Sequence, residues 1–208
     1  MAEAEGILIV SALSGLLGWR ALRATRVATR DQLHLLDPFL PLVGQPHVEV
    51  SPLGFPVLRG LLDGHALRLE LVPDTLAFRS LPVLYLEARW ARPHTGRLRV
   101  VVQPTGAEYF GDDHTLTKRY ELRGWSVPCQ AWGEGRAEAL ARRLEAVDPA
   151  GAAALKLVSV REDQLCVTFR FAKAEPSAYR VLRRARFETS AVDSEFVTDT
   201  LRLLRAIE

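Results

Sequence analysis

Residues 65–72 read HALRLELV and residues 83–90 read VLYLEARW. In the first, Leu67, Leu69 and Leu71 alternate with Arg68 and Glu70. In the second, Leu84, Leu86, Ala88 and Trp90 alternate with Tyr85, Glu87 and Arg89. Successive side chains of a strand point to opposite faces, so a period of two builds one apolar and one charged face. Residues 97–103 (RLRVVVQ) repeat the pattern with Leu98, Val100 and Val102. Turn signals at Pro73-Asp74 and His94-Thr95-Gly96 separate these runs, and short connections favour antiparallel neighbours.

Working outward, residues 48–50 and 57–62 add strands upstream, and Asp63-Gly64 is a hairpin turn into His65. Downstream, residues 155–160 and 165–171 flank the polar connection 161–164 as a second hairpin. Between 134 and 147, Ala137, Leu140, Ala141, Leu144 and Val147 recur at helical spacing, and Asp148-Pro149 ends the run. Residues 194–207 carry a second stripe, Val197, Leu201 and Leu204. Residues 177–187 (SAYRVLRRARF) fit either a helix capped by Ser177 or a strand. No repeat of fixed period occurs.

The class expected from these runs is α+β. An N-terminal helix, transmembrane in one reading, precedes a largely antiparallel sheet covered on one face by two amphipathic helices. The expected division is residues 1–36 as the helix and membrane anchor, 37–47 as a linker, and 48–208 as the α+β domain. Pro38, Pro41, Gly44 and Pro46 motivate the linker.

The N-terminal expectation rests on residues 6–19, GILIVSALSGLLGW, which carry no charge. Glu3 and Glu5 precede them, and Arg20, Arg23, Arg26 and Arg30 follow. A secretory signal has positive charge before its apolar run, the reverse of this order. The run is shorter than the usual span of about 20 residues. Snorkelling by Arg20 extends it, and Trp19 suits a membrane interface. Its seven large aliphatic residues favour insertion by about 3 kcal/mol in all, which Ser and Gly erode. Those small residues have a compensating use. Ser11, Gly15 and Gly18 share one helical face, and Ser14 with Gly18 makes a small-xxx-small pair, the pattern that lets membrane helices approach closely. The arginines then place the C-terminal domain in the cytoplasm, and their stripe lies either against anionic headgroups or in water. A buried or interfacial helix is the competing reading.

Composition is globular, with 48% hydrophobic and 25% charged residues. The net charge of +2, with acids and bases interleaved, lacks the basic footprint of a nucleic-acid binder. Cys129 and Cys166 form neither a CxxC nor a zinc pattern.

The densest polar cluster is Tyr109-Phe110-Gly111-Asp112-Asp113-His114. Asp112 and His114 are candidate metal ligands, or a base and its orienting partner. The same residues are also ordinary loop chemistry, and a metal needs further ligands. Gly133-Glu134-Gly135 reads as a helix opening where an anion or Glu134 itself complements the N-terminus. Arg180, Arg183, Arg184 and Arg186 form a second basic cluster. Trp90, Trp125 and Trp132 suit a core or an interface. No dinucleotide, P-loop, nucleophile-elbow or HExxH pattern is present, and no cofactor is expected.

These features point to a membrane-anchored, non-enzymatic interaction protein or accessory subunit of a membrane complex. Its expected partners are other membrane helices or a protein assembly, with anionic lipid headgroups at the arginines. The alternatives are a small metal-dependent enzyme built on Asp112, Asp113 and His114, and a soluble protein that oligomerises through its N-terminal helix.

Overall fold

The computed structural model describes residues 32–74, 81–104, 115–123, 125, 127–147, 154–176, 187, 192 and 194–207. The tightest turn sets the first pairing. Asp63 and Gly64 have φ of 50° and 82°, both left-handed, as a two-residue hairpin turn of the primed type requires. It joins β2 (Pro56–Leu62) to β3 (His65–Asp74), with Leu62 opposite His65. β1 (Gly44–Val50) lies outside β2, and β4 (Val83–Trp90) lies on the far side of β3.

The chain then leaves a gap. β5 (Gly96–Val102), β6 (Lys118–Tyr120) and β7 (Cys129–Gly135) assemble in the order β5-β7-β6. The hairpin of β8 (Leu155–Val160) and β9 (Leu165–Lys173) fills the space between β4 and β5. Among the described residues the result is one nine-stranded sheet, β1-β2-β3-β4-β9-β8-β5-β7-β6, antiparallel at every junction.

Alternation sorts its two faces. Leu67, Leu69, Leu71, Leu84, Leu86 and Val100 belong to one buried cluster, with Trp90 fully buried at its end. The Trp90 indole N–H donates to the Leu62 carbonyl at 3.0 Å, so burying its polar atom leaves no donor unmet. Helices α1 (Ala137–Glu145) and α2 (Ser194–Ala206) turn Leu140, Leu144, Val197, Leu201 and Leu204 into this same cluster. α1 contacts β5 and β7, while α2 contacts α1 and a 3-10 helix at Asp37–Leu42.

The expected fold class needs correction. An N-terminal helix followed by a sheet that two helices cover does not describe this chain; a nine-stranded antiparallel sheet dominates it. The reason is dimensional. Nine strands spaced about 4.8 Å apart measure roughly 38 Å across, whereas a helix is about 10 Å wide. Helices of 9 and 13 residues therefore back only part of the sheet. The first 31 residues lie outside the described set, and with them the expected span at 6–19. Among the described residues no helix is long and apolar enough to cross a membrane.

Residues 37–47, expected as a linker, carry regular structure. Pro38 sits in the first turn of the 3-10 helix, whose Phe39 is fully buried, since a proline's missing N–H costs nothing there. Pro46 lies in β1, the outermost strand, where proline is tolerated. A bulge between Gly44 and His47 bends β1 over Gly60. A Cβ on Gly60 would stand 2.4 Å from the Val43 side chain and 2.7 Å from the Gly44 carbonyl oxygen, so only glycine admits this approach. Gly133-Glu134-Gly135, expected to open a helix, ends β7, and α1 begins at Ala137.

Candidate functional site

The second face of the sheet carries a row of charged side chains beside a few buried aliphatic ones, Val57, Val101 and Leu157, and register organises it. Arg59 stands opposite Arg68, and Arg68 opposite Arg89, giving an arginine row across β2, β3 and β4. Glu70 stands opposite Glu87 one step along the face. Like charges placed directly opposite destabilise a sheet. Here each arginine is answered by a carboxylate. Arg68 donates from Nε and Nη2 to one Glu70 oxygen at 3.0 and 2.7 Å. Arg89 does the same to Glu87 at 3.0 and 2.5 Å, and Arg59 Nε reaches Glu49 Oε1 at 2.7 Å.

These contacts leave their mark on ionisation. The Arg59 hydrogen bond, foremost, holds the Glu49 carboxyl below its usual range. Burial opposes the charge on Arg89, and the adjacent Glu87 carboxylate more than offsets it, so Arg89 stays cationic. Three arginines against three glutamates make this half of the face a neutral ladder.

The row continues through Cys166 and Ser159 to Arg99, Trp132 and Arg119. On this half, Arg97 stands opposite Glu134, while Arg99 and Arg119 both stand opposite Trp132. Arg97 reaches Glu134 at 3.5 Å and Thr115 Oγ1 at 2.8 Å. Thr115 directly follows His114 in the chain, and its hydroxyl is held by Arg97 on the charged face. Asp112, Asp113 and His114 themselves lie outside the described residues. Among those described, no group of three or more His, Cys, Asp or Glu is placed to hold a metal ion.

Other positions singled out in the sequence separate clearly. Trp90 is core. Trp125 is half-buried, and its indole N–H donates to the Leu144 carbonyl at 3.2 Å. It borders a groove of about 590 Å³ that Arg119, Tyr120, Leu122, Arg123 and Val127 also line. Trp132 lies on the charged face between Arg99 and Arg119. Both cysteines are free thiols. Burial raises each thiol's pKa, that of Cys166 to about 11. Among the described residues His94 Nε2 is buried without a hydrogen-bond partner, and burial, with Arg92 and Arg143, lowers its pKa and favours the neutral ring. Ser11, Ser14, Gly15, Gly18, Arg20, Arg23, Arg26, Arg30, Arg180, Arg183, Arg184 and Arg186 lie outside the described residues.

A third feature is the open edge of β1. Among the described residues β1 has a neighbour on one side only. Val48 and Val50 are 40% and 57% exposed, and Leu42 and Leu53, near the two ends of β1, are also exposed. Sequence reading placed the strand here but gave no sign of the edge, because periodicity reports a strand's faces and not its neighbours.

No family model matches the chain, and no curated protein matches it. A solved structure that resembles it is the crystal structure of the mycobacterial trehalose monomycolate transport factor A, TtfA. That likeness covers 81% of this chain and 79% of that chain, with a TM-score of 0.41 and 12% identity. It is too distant to carry any argument about what this chain does.

Proposed function

We propose that this chain is a non-enzymatic accessory subunit held at a membrane by its N-terminal segment, with its sheet domain on the cytoplasmic side as a docking body. One observation carries the reading: the uncharged residues 6–19 sit between Glu3 and Glu5 on one side and four arginines on the other. That asymmetry matches an oriented anchor. The fold adds a constraint on distance. Leu35 and Leu36 are buried in the core, so the chain from Trp19 to the domain spans at most about 55 Å even if fully extended. The domain therefore works within reach of whatever residues 6–19 occupy. Its open edge and the exposed Glu49, Arg59 and Arg89 of its ion-paired face are surfaces for a protein partner.

A reporter fused after Glu208 tests the orientation. It should be active only as a cytoplasmic reporter, and activity on the opposite side contradicts the proposal. Gly15→Leu tests the docking of the anchor: it should leave membrane retention intact and weaken association with other helices. An assembly of unchanged size and composition would remove the small-residue face from the account.

A further inference from the structure

The open edge of β1 complements itself. The Asp63-Gly64 turn makes Leu62 and His65 a hydrogen-bonded pair. Counting back along β2, residues 58, 60 and 62 then direct their backbone groups to β3, and residues 57 and 59 direct theirs to β1. Val57 pairs with Glu49, and Arg59 with His47. The Ser51 N–H bond to the Phe55 carbonyl, at 2.8 Å, continues the same alternation. Val48 and Val50 therefore turn their N–H and C=O groups outward, away from β2. So does Pro46, whose missing N–H falls where no donor within the sheet is lost.

The geometry points to a second copy of this chain as the occupant of that edge, its β1 paired antiparallel with this one about a twofold axis at Val48. In that register Val48 of each copy exchanges two backbone hydrogen bonds with Val48 of the other. Val50 N–H of each copy donates to the Pro46 carbonyl of the other. The side chains agree with the backbone. On the apolar face, Val48 meets Val48 and Pro46 meets Val50. On the charged face, His47 of each copy stands opposite Glu49 of the other. The Arg59 and Arg68 contacts fall on Glu49 Oε1, and among the described residues none falls on Oε2.

Neighbouring registers are worse. A twofold at residue 49 sets Glu49 against Glu49, a like-charge pair. A twofold at residue 47 runs into the bulge at Gln45, whose φ is 51°. The two edges of the sheet also differ. β6, at the far side, has 3 residues, whereas β1 has 7. Natural edges are usually blunted by lysine, proline or bulges. In β1 those devices occupy only residues 44–47.

Cysteine cross-linking of the full chain tests the register. Val48→Cys puts two thiols on an opposed pair about 5.5 Å apart between Cα atoms, within disulfide range. Val50→Cys puts its two thiols about 13 Å apart along the strands. Under mild oxidation Val48→Cys should form the dimeric disulfide about a hundredfold faster than Val50→Cys, the gain an effective concentration gives. Val48→Pro should keep the thermal transition and lose the dimer in sedimentation velocity, because the N–H it removes bonds nothing among the described residues. A wild-type chain that stays monomeric across the concentration series overturns the proposal. So does a dimer indifferent to Val48→Pro, or equal cross-linking at 48 and 50.

Discussion

Arg205 clamps Asp63 across the fold, with Nε to Oδ2 at 2.8 Å and Nη2 to Oδ1 at 3.1 Å. The two residues are 142 positions apart in sequence. The pair ties the last turn of α2 to the β2–β3 hairpin. It also holds the Asp63 carboxyl below its usual pKa of 3.8, chiefly through the Arg205 hydrogen bond. A carboxyl depressed on folding stabilises the native state above its unfolded pKa, and that contribution fades as pH falls through the folded value.

Asp63→Asn tests this clamp cleanly, because asparagine tolerates the left-handed backbone of the turn. Both partners are about half exposed, so the loss at pH 7 should be about 0.5–1 kcal/mol. The difference between wild type and variant, measured by urea unfolding, should shrink as pH drops below 4. A difference that stays constant down to pH 2 would show that the charge does not matter.

Trp90→Ala removes the largest fully buried side chain among the described residues and its indole bond to Leu62. The cost should be about 3–5 kcal/mol. Trp90→Phe keeps most of the volume and removes only the indole's bond to the Leu62 carbonyl, and should cost less than the alanine variant. Denaturant midpoints read both. Near-equal losses would mean the hydrogen bond, not the packing, dominates at this position.

Gly133→Ala should be destabilising although alanine is small. Its Cβ would lie 2.4 Å from the Ala137 side chain and 2.7 Å from the Arg97 carbonyl oxygen. Prising α1 off β7 should cost about 1–3 kcal/mol, the usual range for overpacking. A parallel Ala137→Gly change in the Gly133→Ala background should recover part of the loss, apart from about 1 kcal/mol of helix propensity. Thermal unfolding of the single and double variants reports the coupling.

Cys166 should be nearly inert to alkylation at pH 8. Its thiol pKa of about 11 leaves little thiolate, burial being the first cause and Glu87 the second. Its labelling rate in the folded protein should climb as pH approaches 11 and jump on unfolding. Fast labelling at pH 8 under native conditions would mean that the charged face opens around it.

The sequence pattern was most legible where one face of a strand is apolar and the other charged. Leu67, Leu69 and Leu71 against Arg68 and Glu70 identify a strand without any structure. The same residues say nothing about which strand lies beside which. That β8 and β9 would enter between β4 and β5 depends on long-range pairing, which leaves no periodic trace. The arginine row has the same status: Arg68 with Glu70 and Glu87 with Arg89 are visible as i, i+2 pairs, but their alignment exists only once the register is set. Glycine and proline misled because each serves two masters. Pro46 marks an edge strand as readily as a linker, and Gly133 marks a close helix–strand approach as readily as a helix opening. Of the site residues named from sequence, Asp112, His114 and the N-terminal small and arginine residues lie outside the described residues, so the groups the structure emphasises, Arg59, Arg68, Arg89 and the β1 edge, come from register.

The most direct measurement is extraction of membranes from cells expressing the full chain, first with alkaline carbonate and then with detergent. The chain should stay with the membrane in carbonate and be released by detergent, while a chain lacking residues 1–31 should appear in the soluble fraction. Release of the full chain by carbonate would contradict the anchor, and with it the proposed role as a membrane-held subunit.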